Sequence, residues 1–243
     1  WEQALAAPFL KPAPIETTPL QRNANVGLAA GTTARQATAV FGPIPIDGYE
    51  IDPKIIAAAR AYFDMNMENL NVVVADGRWG LAHSPHHYDI ISIDAYRPPY
   101  IPWHMTTQEF FQIVREKLND EGVMVINVGR SPQDRRLVNT LASTIRSVFP
   151  SVHLVDIPGS YNTIIYATAQ PTQAENIQHN LVYLYHKGGI HPLLIYAMQV
   201  AATNLQPQPG FERVFTDDHA PVEWITNTMV LRYLFSTNLE SMQ

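Results

Sequence analysis

The sequence contains no cysteine. Disulfide scaffolds, thiolate metal sites and cysteine nucleophiles are therefore excluded, and a reducing compartment such as the cytoplasm fits. Charge is sparse: Asp, Glu, Lys and Arg make up 16% of the 243 residues, against 46% hydrophobic ones. A disordered chain shows the reverse balance, so a large buried core is expected. Basic residues are in the minority, 16 against 22 acidic, for a net charge of −6. A nucleic-acid binder normally carries the opposite sign, so no nucleic-acid partner is expected, whereas a cationic or neutral small substrate is compatible. No apolar run approaches the ~18 residues of a membrane span. No basic segment leads into an apolar one at the N-terminus, so no signal peptide is expected. Position 1 is Trp1 rather than Met, which reads as a processed product or a fragment.

What is present is a regular alternation. Residues 1–22 are Pro-rich and read as a stub and linker, helical at most over Trp1–Leu10. From residue 23, short Val- and Ile-rich runs recur at 25–29, 45–50, 71–76, 88–94, 123–129, 152–157 and 163–168. They are continuous rather than alternating, as in strands buried on both faces. Helical stretches separate the first five: Thr32–Phe41, Pro53–Met65, a turn near Arg78–Ala82, and Thr107–Leu118. Arg135–Phe149 follows the fifth. This order predicts an α/β, Rossmann-like, doubly wound sheet of seven strands, mostly parallel. The sixth and seventh runs are joined by PGSYN, which leaves no room for a crossover helix, so they should form an antiparallel hairpin. Helices over about 174–186, 191–204 and 221–235 complete the chain. The expected division is a linker (1–22), a nucleoside-binding core (23–170) and a helical extension packed on it (171–243).

Three strand ends carry groups suited to a ligand. Gly27 and Gly31 flank the turn after the first strand, where glycine lets backbone N–H groups and a helix N-terminus approach a ligand. Glu50 ends the second strand, where an acid can accept from two ribose hydroxyls; Asp76 and Gly77 follow the third, within reach of an adenine amine. Without a ligand the same residues would be an ordinary α/β turn. Asp94 ends the fourth strand and precedes a loop with Tyr96, Tyr100, Trp103 and three prolines. It suits a general base with aromatics shielding a site or facing a cation; the plain alternative is a helix cap with packed aromatics. The HSPHH run at 83–87 lacks carboxylate or cysteine ligands at useful spacing and reads as a solvated loop, so no metal is expected. In TDDH (216–219), Asp217 and Asp218 either stabilise the start of the helix opening at Pro221 or touch a substrate pocket. Arg130, Arg135 and Arg136 read as solvated or paired with surface acids.

The stretches VGLAAGTTARQA, YEIDPKIIAAARAYF, VVVADGRWGL, YDIISIDAYRPP and MTTQEFFQIVREKLNDEGVMVINV together resemble the spermidine synthase family of polyamine aminopropyltransferases, which use the class I methyltransferase fold. The resemblance covers about residues 23–170, and TDDHAPVEW resembles the tail of bacterial spermidine synthase-like proteins, several of which carry membrane segments upstream. It implies decarboxylated S-adenosylmethionine as donor, a small amine as acceptor, methylthioadenosine as coproduct and no metal. It matches Gly27, Gly31 and Gly77 to the glycine-lined nucleoside site, Glu50 to the ribose acid, Asp76 to the adenine acid, and Asp94 to the first acid of a D-x-x-D-P gate motif. Tyr96 would join Asp94 in catalysis, with Arg97, Trp103, Asp217 and Asp218 towards the substrate. A homo-oligomer, and a cytoplasmic domain following an upstream membrane segment, are both compatible with it.

Three departures matter. The family's small N-terminal β-sheet domain has no counterpart ahead of the first core strand. Ala30 stands where the family places an acid for the donor's ammonium, and Arg97 replaces the second gate acid. A diamine beside Arg97 would be repelled, whereas an arginine suits the carboxylate of ordinary S-adenosylmethionine. A methyltransferase that uses that nucleoside, or a degenerate nucleoside-binding domain of a larger membrane protein, are the rival expectations.

Overall fold

The computed structural model describes residues 2–15, 20–97 and 99–240; Trp1, residues 16–19 of the linker and Pro98 of the gate motif lie outside them. One sheet organises the chain, with strands β1 (Asn23–Val26), β2 (Ile46–Glu50), β3 (Leu70–Val74), β4 (Tyr88–Ile93), β5 (Leu118–Gly129), β6 (Ser151–Asp156), β7 (Asn162–Thr168) and β8 (Leu205–Gln206). Their order is β3-β2-β1-β4-β5-β7-β6-β8. The first five are mutually parallel, and β6 and β7 form the expected antiparallel hairpin around Gly159. The sheet thus has eight strands rather than seven. The additional β8 pairs only Leu205 and Gln206 with β6, too short a run for any sequence period to register.

Two apolar layers enclose the sheet. One face packs against α3 (Gly77–Ala82), α4 (Gln108–Lys117), α5 (Arg136–Arg146) and α8 (Val222–Glu240), through Leu81, Phe110, Phe111, Val138, Leu141, Ile145 and Val222 among others. The opposite face packs against α1 (Thr32–Phe41), α2 (Pro53–Tyr62), α6 (Asn176–Lys187) and α7 (Pro192–Thr203). A 3-10 helix, Glu2–Leu10, joins this second layer with Leu5, Phe9 and Leu10 fully buried. Its contacts run to α7, α6, α1 and the sheet.

Local chemistry accounts for the element ends. Asp52 caps α2 through the Lys54 N–H, with Pro53 at the first helical position, where its missing donor is not needed. Thr107 caps α4 by accepting from the Phe110 N–H. Strand β1 stops at Val26, short of the expected residue 29, because Gly27 turns the chain out with φ +85°. Strand β5 starts at Leu118, earlier than residue 123, because Tyr88 pairs with Leu118 across a register shift.

Winding outward in both directions from the β1/β4 pair creates a switch point between the two strands. Ligands in open α/β sheets bind outside the carboxyl ends of the strands at such a point.

Candidate active site

A cleft of about 660 Å³ opens at that edge. Because β1 to β4 run parallel, the residues that follow each strand share one rim. Gly27 and Ala29 come from the β1 turn, Glu50 and Asp52 from β2, Asp76 and Gly77 from β3, and Asp94, Tyr96 and Arg97 from β4. Ile51 and Ile55, both exposed, add apolar surface beside Asp76, and Pro102, His104 and Met105 close the far side.

The glycine turn is shaped by Glu50. Its Oε2 accepts from the Ala29 N–H at 3.0 Å and its Oε1 from the Asp52 N–H at 3.1 Å. Ala29 adopts φ +46°, a left-handed conformation that costs a non-glycine residue about 1 kcal/mol, and the hydrogen bond to Glu50 offsets it. Gly31 precedes α1 with φ +72° and is not among the residues lining the cleft; a Cβ there would run into the Met65 side chain. Gly77 is obligatory for packing: a Cβ there would come within 2.4 Å of Val26. At Ala30 the backbone carbonyl accepts from Arg35 at 3.4 Å, so a cation joins Glu50 beside the turn.

Asp76 caps α3, accepting from the Trp79 N–H at 3.1 Å through Oδ1, while its Oδ2 lies 2.9 Å from His104 Nε2. An ionised carboxylate only accepts, so Nε2 carries the proton of this pair. Burial alone would raise the Asp76 pKa, but the Trp79, His104 and Arg78 contacts outweigh it and hold the carboxyl below its usual range. Asp94 accepts from Asn127 Nδ2 at 3.0 Å. Tyr96 donates to the Asn127 carbonyl at 3.1 Å and accepts from the Gly129 N–H at 2.9 Å. Burial pushes its phenol well above the ordinary value, so it stays neutral. Arg97 is exposed on the rim, its backbone paired with Tyr100, and no ion pair of its side chain occurs among the described residues.

Trp103, Asp217 and Asp218 are not in the lining. Trp103 is 41% exposed and edge-on to His104. Asp217 is engaged by Arg78 and Thr107 behind the cleft wall, and Asp218 is exposed. His104 and Asn127 were not singled out from the sequence. A polar Asn in the otherwise apolar run 123–129, beside the strand that ends at Asp94, is the signal that could have marked Asn127; His104 had none. In HSPHH, His83 stacks on Trp79 with centroids 4.2 Å apart and His86 and His87 are exposed. No cluster of three His, Asp or Glu residues able to hold a metal occurs among the described residues, and no helix there is long and apolar enough to cross a membrane.

Residues 42–179, more than half of the chain, match the family model described as spermine/spermidine synthase domain. The chain belongs to this family. A probable polyamine aminopropyl transferase of Bifidobacterium longum is 34% identical over 243 aligned residues, covering 92% of this chain and 51% of the relative. The chain spans about half the length of this relative and of a polyamine aminopropyltransferase of Vibrio vulnificus that is 30% identical over 61% of this chain. A spermidine synthase solved with the transition-state analogue AdoDATO superposes with a TM-score of 0.60 at 19% identity, over 73% of this chain and 64% of that one. Human methyltransferase-like protein 13, solved with SAH, gives 0.62 at 22% identity, over 91% and 96%. These two likenesses establish the shared fold, α/β with a spermidine synthase- and methyltransferase-like sheet.

Proposed function

We propose that the cleft binds an adenosyl-sulfonium nucleoside and that the chain transfers an aminopropyl group from decarboxylated S-adenosylmethionine to a small amine. The observation that carries this reading is the convergence of Glu50, Asp76 and Asp94 on one cleft at the switch point, each with acceptor capacity left over. Glu50 has one backbone donor per oxygen, leaving a lone pair on each for ribose hydroxyls. Asp76 is similarly placed for the base amine, with Ile51 and Ile55 offering apolar surface to the ring.

When bound, the donor supplies a methylene made electrophilic by its sulfonium, and departs as neutral methylthioadenosine. Asp94 accepts the proton that the amine nitrogen loses as it forms the new C–N bond and the C–S electron pair passes to sulfur. Asn127 orients that carboxylate, and its Oδ1, buried with no partner among the described residues, is a further acceptor beside it. Tyr96 braces the loop: its hydroxyl is committed to two backbone groups, so it exchanges no proton. The remaining contribution is positioning and exclusion of water.

Methyl transfer from S-adenosylmethionine is the second reading, and Arg97 on the rim is the feature that favours it, since a guanidinium pairs well with a carboxylate. Calorimetry with methylthioadenosine, S-adenosylmethionine and its decarboxylated form separates the two. The aminopropyl reading expects the decarboxylated donor to bind more tightly; a preference for the carboxylated one selects methyl transfer. Binding of none of the three overturns both.

A further inference from the structure

Behind the cleft wall runs a series of polar contacts that the nucleoside reading leaves unused. Asp217, in the segment leading to α8, accepts from Arg78 Nη1 and Nη2 at 2.7 Å each and from Thr107 Oγ1 at 2.7 Å. Arg78 Nη1 also donates to the His104 carbonyl at 2.9 Å, and the His104 ring holds Asp76. The segment is pinned in turn: the Asp217 N–H donates to Glu109 Oε2 at 3.0 Å, and the Gln108 N–H to the Phe215 carbonyl at 2.8 Å. The Arg78 hydrogen bonds come first among the causes that hold Asp217 below the usual carboxylate range.

We propose that Asp217 and Arg78 are positioning residues that set the nucleobase selectivity of the cleft, acting through His104 on Asp76. This rests on the nucleoside reading and extends it to residues outside the cleft. A carboxylate has about four acceptor directions. The Trp79 and Arg78 backbone N–H groups and the His104 ring take three of them, Trp79 on Oδ1 and His104 on Oδ2, which fixes the carboxyl plane and leaves one direction for a base. A 6-amino base brings an N–H to such a group, whereas a 6-oxo base brings a carbonyl oxygen that the carboxylate repels. A carboxyl free to turn would lose that discrimination. His104 sits in a three-residue 3-10 turn, Trp103–Met105, which cannot fix the ring unaided. The Arg78 bond to its carbonyl does so, and Asp217 anchors Arg78 by both terminal nitrogens.

The test measures the affinity of the full chain for methylthioadenosine and for methylthioinosine, by calorimetry, with thermal unfolding as a check on folding. The unaltered protein is expected to favour the adenine nucleoside by at least about tenfold, the scale of one hydrogen bond to a charged group. Asp217→Asn, Arg78→Gln and His104→Leu are expected to reduce that ratio to below about threefold, chiefly by weakening the adenine nucleoside. His104→Gln keeps an N–H donor and should retain most of the ratio. Arg135→Gln breaks a bidentate pair with Asp156 remote from the cleft and should leave the ratio unchanged, so it controls for general loosening. If Asp217→Asn does not fold, Arg78→Lys, which keeps the charge and loses the fork, decides by the same ratio. An unchanged ratio in a folded variant overturns the proposal and leaves the nucleoside site standing. Failure of the unaltered protein to bind either nucleoside overturns both.

Discussion

Strand β2 carries two buried acids, Asp47 and Glu50, 2% and 7% exposed, on opposite faces of the sheet. Asp47 is closed off by side chains: Arg22 Nη1 at 3.0 Å, the Tyr88 hydroxyl at 2.9 Å and Asn71 Nδ2 at 2.9 Å. Tyr88 is itself tied to Ser84 at 2.6 Å and Tyr49 at 2.9 Å. Glu50 receives only two backbone N–H groups and borders a cleft. Burial alone therefore does not separate the structural acid Asp47 from Glu50, the acid proposed to bind; the identity of the donors does. Side-chain donors gathered around Asp47 compensate its desolvation, whereas the donors on Glu50 belong to the turn it helps to shape.

The comparison breaks most visibly at Asp47. Asp47→Leu leaves Arg22, Asn71 and Tyr88 without their acceptor and is expected to cost about 3 kcal/mol in denaturant unfolding. Glu50→Ala should weaken methylthioadenosine binding by about 1.5–3 kcal/mol while lowering stability less than Asp47→Leu does. If the two variants exchange effects, the distinction fails.

A smaller effect is expected at Arg97. A diammonium acceptor about 4 Å from this exposed guanidinium loses about 1 kcal/mol in a water-like dielectric. Turnover with putrescine should be poor and should rise about fivefold in Arg97→Ala. Efficient turnover by the unmodified protein, unchanged in the variant, would sink the electrostatic argument.

The smallest effect concerns pH. His153 is buried against Thr172, Nε2 to Oγ1 at 2.8 Å, and burial pushes its pKa below the ordinary value. As pH falls below about 6.5 the unfolded chain takes up this proton before the folded one does, so stability falls; His153→Gln should flatten that part of the profile. Asp134, Asp156 and Asp217, all held low, add a second loss only below about pH 4. A profile between pH 7.5 and 5 that is unaffected by His153→Gln would remove the histidine from this account.

Strand identity and the mostly parallel arrangement were legible because continuous apolar runs alternate with amphipathic ones, and the carboxyl ends of β2 and β4 because acids mark them. Burial of the 3-10 helix was not. Its Ala, Leu and Phe residues lie in a Pro-rich context that reads as a connector, and docking against α7, α6, α1 and the sheet buries them. Gly27, Glu50, Asp76 and Asp94 stood out because topology places strand ends together. Asn127 and His104 act through partners distant in sequence, Asp94 and Asp76, and no local pattern encodes such a pairing. Asp217 showed as an acid near a helix start, and its bond to Arg78 appears only once the chain returns across α3 and α4.

Gly27 imposes a mechanical constraint on how this cleft can change. A Cβ at Gly27 would lie 2.6 Å from the Asp94 carbonyl and 2.7 Å from the Ala95 backbone. Both neighbours are main chain, which no rotamer change can move aside. The turn that would cradle the nucleoside and the strand end that would receive the proton are therefore seated against each other with no clearance. Displacing one displaces the other, so altered donor preference should come from side chains around the rim, such as that of Arg97, before it comes from any change in the path of the backbone.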